Sequence, residues 1–269
     1  MIYYFLTCLF VVLSGECEAG RRIFQGRDVL LGEFPYVANW GLLKLHGNRE
    51  TFKPFCTCSI ISATWAISAA HCTQNESLRS YFFLYYGSHI SAVRGNFSKV
   101  LDVFIHPAYE FDNSINLRTI DICLLRTQRI QISEYAVISA LDYKTLIGQE
   151  VYVAGHGRMN VSSTYSLKKP LQVFKGMINV CLETERPIGS YLICVSSQCG
   201  SLAMICGGDS GGPIIHTSGI LGVNSASLID CKYHFYNKEI NKHTLALASS
   251  ALISPVSPVL DWISRTINN

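Results

Sequence analysis

The sequence predicts an all-β protein, either a sandwich or a barrel, built as two β cores packed together. Short segments rich in β-branched and aromatic residues recur along the chain, and clusters of Gly, Asn, Pro and Ser separate them. Helix signals are scarce. A length of 269 residues suits one large domain or two small cores that share an interface.

Eight segments have the composition of strands. They are residues 37–45, 58–61, 82–86, 100–105, 122–125, 151–154, 192–195 and 213–215, the last continuing through 220–224. One helix is expected at the C-terminus, over about residues 257–267. Ser257 suits its cap, Pro258 suits its first position, and apolar residues then recur at three- and four-residue spacing.

The composition argues against several classes of function. Twenty-two Lys and Arg against nineteen Asp and Glu give a net charge of +3, and the basic residues are scattered, so no nucleic acid partner is expected. The one long apolar run, residues 1–13, is too short to span a bilayer, so no membrane body is expected. This run instead resembles the core of a secretory signal peptide over residues 1–19, cut after residue 19 or 15. The alternative is a buried N-terminal strand or helix.

A secreted, extracellular protein would be open to glycosylation and to oxidation of its eleven cysteines. Three N-x-[ST] sequons, at Asn75, Asn96 and Asn160, are consistent with the secretory route. In an oxidising compartment the cysteines are interpreted first as a disulfide framework. No metal site is expected, because no Cys-x-x-Cys pair has a matching partner.

A glycine-rich stretch around Ser210 carries most of the chemical information. Residues 207–213 are Gly-Gly-Asp-Ser-Gly-Gly-Pro, and such a turn lets backbone N–H groups converge on one point, as stabilisation of an oxyanion requires. A serine nucleophile needs a base, which His71 offers, and a carboxylate behind that base, which Asp121 offers. Each residue alone has a plainer explanation: a turn, a satisfied core histidine and a loop cap.

Together, in the order His71, Asp121, Ser210, these segments resemble the trypsin and chymotrypsin family of serine endopeptidases. The block around Ser210 matches that family's GDSGGP, the residues around His71 match its AAHC, and those that follow Asp121 are similar to its DIAL. Further similarity lies at residues 105–109, at 155–157 and at Trp262.

The resemblance implies a fold and its boundaries. It implies an all-β, chymotrypsin-like architecture of two packed six-stranded antiparallel β-barrels with a C-terminal α-helix. A protease domain would span residues 23–269, with the first barrel over about 23–140, the second over about 141–255 and the helix over about 257–267.

The resemblance also implies roles for five residues. His71 would be the general base and acid, Asp121 its orienter, and Ser210 the nucleophile. The N–H groups of Gly208 and Ser210 would form the oxyanion hole. Ser225 resembles the serine that supports the triad aspartate.

A short activation segment, residues 20–22, is expected before the protease domain. Arg22 followed by Ile23 resembles the activation site of the family, where cleavage frees an α-amino group. In the family that cation pairs with the aspartate before the nucleophile, which is Asp209 here. The alternative is an ordinary basic loop.

By position, six cysteines match disulfides of the family: Cys56 with Cys72, Cys181 with Cys194, and Cys206 with Cys231. A further bridge between Cys58 and Cys123 is a hypothesis, because both belong to the first barrel, and the alternative is two small buried residues. Cys17 and Cys199 have no assignment.

The expected specificity pocket departs from that of trypsin. Met204 stands where trypsin-like members carry an aspartate, and an apolar floor cannot neutralise a buried Lys or Arg head group. We therefore expect a medium apolar or small residue before the scissile bond. The pocket residues on this alignment are Met204, Ile205, Ser225, Ala226 and Ser227.

The sequence thus predicts a secreted serine endopeptidase that acts through an acyl-enzyme after cleavage between Arg22 and Ile23. No cofactor is expected; the expected partners are protein or peptide substrates, an activating trypsin-like protease and protein inhibitors, and the expected state is a monomer. The main alternative is a catalytically weak or inactive homologue that acts as a binding or regulatory protein. Four departures from the family pattern suggest it: Met204, Ala226, His156 and Gln25. An unrelated β-rich secreted glycoprotein is a more distant alternative.

Overall fold

The structure, a computed structural model, describes residues 23, 26–46, 49–73, 76–88, 95–112, 117–157, 170–181, 191–197, 203–227 and 251–269. Several predictions lie outside these residues: the signal and activation segments (1–22), the sequons at Asn75 and Asn160, and the cysteines Cys17, Cys199 and Cys231. Asn96, the third sequon position, is exposed at the start of a strand.

Fifteen strands form in the described part of the chain. They are β1 (Arg27–Asp28), β2 (Val37–His46), β3 (Arg49–Ser62), β4 (Trp65–Ser68), β5 (Phe82–Tyr86), β6 (Asn96–Ile105), β7 (Glu110–Asp112), β8 (Leu117–Thr119), β9 (Cys123–Thr127), β10 (Glu150–Gly155), β11 (Gln172–Asn179), β12 (Ile193–Ser197), β13 (Pro213–His216), β14 (Gly219–Ala226) and β15 (Ala251–Pro255). Each of the eight predicted segments overlaps one of them.

Twelve of these strands close two antiparallel barrels. The first barrel has the order β2-β3-β4-β9-β6-β5. The second has the order β11-β10-β13-β14-β15-β12 and is closed by pairing of β11 with β12. The predicted fold class, two six-stranded barrels, is confirmed.

The N-terminal residues pack on the second barrel, although the expected boundaries assigned them to the first. Strand β1 pairs with β11, so that Arg27 lies opposite Val173. Ile23 is 1% exposed and packs in the core of the second barrel with Val153 and Phe174. The start of the domain is therefore attached to the barrel that carries Ser210.

Apolar side chains fill each barrel and the interface between the barrels. In the first barrel Trp40 and Phe82 meet edge to face at 5.4 Å between ring centroids. Ala154 and Val223 of the second barrel join the apolar cluster of the first. Burial of this surface stabilises the two barrels as one unit, at about 25 cal/mol per Å² of apolar area.

The C-terminal helix forms, but Ser257 does not cap it. A short 3-10 turn (Ser257–Val259) precedes α1 (Leu260–Asn268), and Val256 stands at the cap of that turn with no side-chain hydrogen bond. The Ser257 hydroxyl instead accepts a hydrogen bond from the Tyr143 N–H at 3.3 Å. Helix α1 packs back on the first barrel, with Trp262 edge to face against His106. In the described residues no helix has the length and apolar character needed to cross a membrane.

Candidate active site

Strand pairing in the first barrel brings His71 and Asp121 together. His71 lies in a 3-10 turn (Ala70–Thr73) just after β4, and Asp121 lies just before β9. Strands β4 and β9 are antiparallel, with Ser68 opposite Cys123. The residues that follow Ser68 therefore lie beside those that precede Cys123. Two residues fifty positions apart in the chain thus become neighbours.

Asp121 is 1% exposed and accepts hydrogen bonds from His71 and Ser225. The His71 backbone N–H donates to Oδ1 at 2.8 Å, the His71 Nδ1 contacts Oδ2 at 2.7 Å, and the Ser225 hydroxyl donates to Oδ2 at 2.6 Å. Burial alone would raise the pKa of Asp121, but the hydrogen bonds and charge of His71, with the Ser225 bond, hold it below its ordinary value. The carboxylate is therefore ionised at neutral pH.

This arrangement also selects one tautomer of His71. A carboxylate can only accept, so Nδ1 carries the proton and Nε2 is left with a lone pair. A neutral imidazole with an accepting Nε2 is the form that a general base requires.

The turn that contains Ser210 docks against the segment that leads to His71. The Thr57 N–H donates to the Ser210 carbonyl at 2.8 Å. Gly211 has φ +79°, and a Cβ at this position would overlap the Ser68 hydroxyl and the Thr57 carbonyl, so only glycine fits. Ser210 is partly buried, and its hydroxyl makes no hydrogen bond with His71 within the described chain. Such bonds often tighten only with substrate bound.

Some backbone donors in this turn have no acceptor among the described residues. The N–H groups of Asp209, Gly211 and Gly212 donate to backbone carbonyls at 2.7 to 3.0 Å. In the described part of the chain, the N–H groups of Gly207, Gly208 and Ser210 donate to none, and of these three residues Gly207 is exposed to solvent. Two free donors this close in the chain can bind one oxyanion between them.

Asp209, directly before Ser210, is a second buried carboxylate. It is 0% exposed and accepts hydrogen bonds from the N–H groups of Gly157 at 2.6 Å and Cys206 at 2.8 Å. A Cβ on Gly155 or Gly157 would overlap the Asp209 carboxyl group, so these glycines allow the close approach. Burial raises the pKa of Asp209 to about 7, against the opposing effect of the two hydrogen bonds.

The residues expected in the specificity pocket have different surroundings. Met204 and Ile205 are both buried, and Ile205, unlike Met204, belongs to the apolar core of the second barrel. The Ser225 side chain points to Asp121. Ala226 and Ser227, at and just beyond the end of β14, are partly buried, and Ala226 packs on Leu252 and the Cys181–Cys194 bridge.

The structure contains the bridges Cys56–Cys72 and Cys181–Cys194. The first joins β3 to the turn of His71. The third expected bridge, from Cys206, involves a cysteine outside the described residues. The hypothetical bridge between Cys58 and Cys123 is wrong: both are buried thiols, and they contact the carbonyls of Ala38 at 3.7 Å and Ala69 at 3.4 Å.

Burial raises the pKa of both the Cys58 and the Cys123 thiol. Because a thiol with a raised pKa is seldom ionised, both are weak nucleophiles. One group in the described chain has ligand atoms close enough for a metal: Cys56, His71 and Cys72. Its two sulfur atoms are joined in the disulfide, so they offer no thiolate.

The sequence alone did not identify two residues near the site. The Thr57 hydroxyl and the Asn224 carboxamide both donate to carbonyls of the Ser210 turn. The available signals were weak: Thr57 stands between two cysteines, and Asn224 precedes Ser225.

Comparison with known proteins is consistent with this geometry. The sequence model of the Trypsin family matches residues 23–243. Serine protease SP24D of Anopheles gambiae is 30% identical over 225 residues, which are 79% of this chain and 76% of that protein. Serine protease 1 of Drosophila melanogaster is 28% identical over 259 residues, covering 90% of this chain and 84% of that one. The chain therefore belongs to the Trypsin family of serine proteases, and the predicted resemblance is confirmed.

Other relatives are longer or more distant. Transmembrane protease serine 7 of Homo sapiens is 26% identical over 208 residues, and the match spans only 24% of its length. The solved structure of neuropsin, a serine protease of mouse brain, superposes with a TM-score of 0.66 at 19% identity, covering 90% of this chain and 98% of that one. That likeness supports the fold.

Proposed function

We propose that this chain is a secreted serine endopeptidase with His71, Asp121 and Ser210 as its catalytic triad. The observation that carries the proposal is a pair of elements that meet at the Ser210 turn. One is a histidine fixed by a buried, ionised carboxylate, at the end of the segment on which this turn docks. The other is the pair of N–H groups of Gly208 and Ser210, which have no acceptor among the described residues. Family membership supports the same chemistry.

The reaction follows from these positions. The Ser210 hydroxyl attacks the carbonyl carbon of the scissile peptide and gives its proton to His71 Nε2, while the carbonyl oxygen becomes an oxyanion held by the N–H groups of Gly208 and Ser210. The intermediate collapses to an acyl-enzyme, and His71 returns the proton to the departing amine. Water, deprotonated by His71, then hydrolyses the ester and restores Ser210. Asp121 stays ionised and stabilises the imidazolium.

Cleavage between Arg22 and Ile23, by a trypsin-like protease, would activate the enzyme. Asp209 is a buried carboxylate whose pKa of about 7 reflects the cost of ionisation there, and an α-ammonium group on Ile23 would offset that cost. Ile23 has φ +35°, which a β-branched residue rarely adopts, and cleavage releases this torsion. Its side chain already packs in the second barrel.

The substrate preference is proposed from Met204. Its buried thioether suits a medium apolar or small side chain before the scissile bond and offers no charge for Lys or Arg. Profiling of the cleaved enzyme with a peptide library tests this preference, and strict selection of Arg or Lys would contradict it.

The proposed activity is tested by a fluorophosphonate probe on the full chain before and after treatment with trypsin. We expect labelling of Ser210 only after a new N-terminus at Ile23 appears, with Ser210→Ala as the unlabelled control. An Arg22→Gln variant, which trypsin can cut after Arg21 but not at the proposed site, should stay unlabelled. Absence of labelling despite a free Ile23 N-terminus would favour the inactive binding homologue.

A further inference from the structure

Two polar side chains that the triad does not use contact the turn around Ser210 from opposite barrels. Thr57 comes from β3 of the first barrel, and Asn224 comes from β14 of the second. Both residues are 0% exposed. Buried polar groups need hydrogen-bond partners, and those of Thr57 and Asn224 include carbonyls of this turn.

The Thr57 hydroxyl makes two hydrogen bonds whose directions are fixed by their partners. It donates to the Gly208 carbonyl at 2.8 Å and accepts from the His156 N–H at 3.0 Å. A carbonyl can only accept and an amide N–H can only donate, so the hydroxyl has one arrangement. Thr57 therefore links Gly208 to the segment that also holds Asp209 through the Gly157 N–H.

The Asn224 side chain joins two carbonyls of the second barrel. Its Nδ2 donates to the Asp209 carbonyl at 3.1 Å and to the Ala154 carbonyl at 3.2 Å. The backbone of Asn224 binds the same turn, because its carbonyl accepts from the Gly211 N–H at 2.7 Å and its N–H donates to the Gly212 carbonyl at 2.8 Å. Asn224 thus fixes the turn through both side chain and main chain.

Peptide geometry connects these bonds to the oxyanion donors. In a trans peptide the C=O and N–H point in opposite directions, so the two bonds that the Asp209 carbonyl accepts, from Asn224 Nδ2 and from the Gly212 N–H at 3.0 Å, also set the direction of the Ser210 N–H. The bond from Thr57 likewise fixes the preceding peptide, between Gly208 and Asp209. Gly208 has φ +103°, and a glycine has few steric limits on its backbone torsions. The peptides next to Gly208 therefore depend on hydrogen bonds from other segments to fix their orientation.

The Asn224 carboxamide is only partly satisfied by hydrogen bonds. Its Oδ1 is buried without a hydrogen-bond partner in the described part of the chain. A leucine of similar shape would remove this unsatisfied acceptor, but it would also lose the hydrogen bonds to the Ala154 and Asp209 carbonyls. The carboxamide is therefore better explained by the carbonyl groups that it holds than by packing.

We propose that Thr57 and Asn224 are positioning residues that fix the two peptide groups between Gly208 and Ser210, and thereby hold the Ser210 N–H as an oxyanion donor. This inference rests on the proposed function, since it assigns the two side chains to the same reaction. Neither side chain is assigned a contact with substrate.

The test compares four variants of the full chain, each activated by cleavage after Arg22. Thr57→Val and Asn224→Leu remove the polar groups at nearly constant shape, and Thr57→Ser restores the hydroxyl. Thr127→Val is the matched control, because Thr127 is a buried threonine of the same barrel whose hydroxyl donates to the Gln128 carbonyl at 2.8 Å, in β9. For each we measure the fluorophosphonate rate constant, kcat and KM on a peptide substrate, and the free energy of unfolding in urea.

We expect Thr57→Val and Asn224→Leu to lower the labelling rate constant and kcat by about 10- to 100-fold, a part of the loss that follows removal of a whole oxyanion donor, while KM stays constant. Thr57→Ser should recover most of the rate, and Thr127→Val should keep it. Asn224→Leu loses two hydrogen bonds and also one unsatisfied acceptor, so its free energy of unfolding should stay close to that of the wild type while its activity falls.

Two results would overturn the inference, and they differ from each other. If the wild type is labelled and Thr57→Val and Asn224→Leu react as fast as Thr127→Val, the two side chains do not position the turn, although the proposed function stands. If the cleaved wild type is not labelled at all, the proposed function and this inference fail together.

Discussion

The two barrels each bury one aspartate near the site, and the two carboxylates differ in their partners. Asp121, which packs with the first barrel, accepts from an imidazole, a hydroxyl and a backbone N–H, and its pKa lies below the ordinary value. Asp209, in the second barrel, accepts from two backbone N–H groups, and its pKa is raised to about 7. Both are almost fully inaccessible to solvent.

Burial alone therefore does not set the charge of a carboxyl group. Donors that can carry a positive charge keep Asp121 ionised, whereas two neutral amides do not offset the desolvation of Asp209. The base of the proposed triad is thus complete in the uncleaved chain. Among the described residues, the carboxyl group of Asp209 beside the nucleophile has only neutral amide donors, and the proposed cleavage would supply a cation.

The largest expected effect follows from removing the charge of Asp121. Asp121→Asn keeps the shape but replaces an acceptor with a group that can donate, so His71 loses both its preferred tautomer and the charge that stabilises its imidazolium. The fluorophosphonate rate constant of the cleaved enzyme should fall on the order of 10⁴-fold. A fall of less than about tenfold would contradict the role of Asp121 as orienter.

Asp209→Asn should lower the activity of the cleaved chain and change the pH dependence of stability of the uncleaved chain. The amide cannot pair with the Ile23 ammonium, so labelling of the cleaved chain should fall by about 10²- to 10³-fold as the oxyanion donors lose their order. In the uncleaved chain the same substitution removes the titrating group, but its NH2 group would face the N–H of Gly157 or Cys206, so the comparison is made across pH: the variant should lose less stability than the wild type between pH 4 and pH 8. An equal loss in both proteins would contradict the raised pKa of Asp209.

Ser225→Ala should have the smallest effect of the three substitutions. It removes one donor to Asp121 and leaves both His71 bonds in place. Because a hydrogen bond to a charged group contributes about 1.5 to 3 kcal/mol, we expect a rate loss of about tenfold. Ser59→Ala is the control: the buried Ser59 hydroxyl has no hydrogen-bond partner in the described residues, and its loss should leave the rate unchanged.

Features that depend on a short stretch of residues are predicted best from the sequence. The triad residues lie in motifs of four to six residues, and most predicted strands are runs of β-branched and aromatic side chains, so both can be found without knowing the fold. The C-terminal helix was also predicted, although the Ser257 hydroxyl accepts from Tyr143 instead of capping it.

Features that depend on distant partners were missed. The bonds of Thr57 to Gly208 and of Asn224 to Asp209 join segments that meet only in the folded protein. The attachment of β1 to β11 is equally non-local, and chain order alone assigned it to the wrong barrel. Cys58 and Cys123 belong to the same barrel, but their sulfur atoms contact separate carbonyls.

The contrast between the two aspartates is tested most directly by measuring the free energy of unfolding from about pH 4 to pH 8. Three proteins are compared: the uncleaved chain, the chain cleaved after Arg22, and the uncleaved Asp209→Asn variant. Because the pKa of Asp209 is raised, the folded uncleaved chain retains a proton that the unfolded chain releases, so its stability should fall as the pH rises from about 4 to about 7. The change from the ordinary value of 3.8 to about 7 corresponds to about 4 kcal/mol.

The cleaved chain should lose this component of the pH dependence, because the Ile23 ammonium stabilises the ionised carboxylate, and Asp209→Asn should lack it as well. If all three proteins showed the same pH dependence of stability, the pKa of Asp209 would not be raised in the uncleaved chain. The proposed difference between Asp209 and Asp121 would then be wrong.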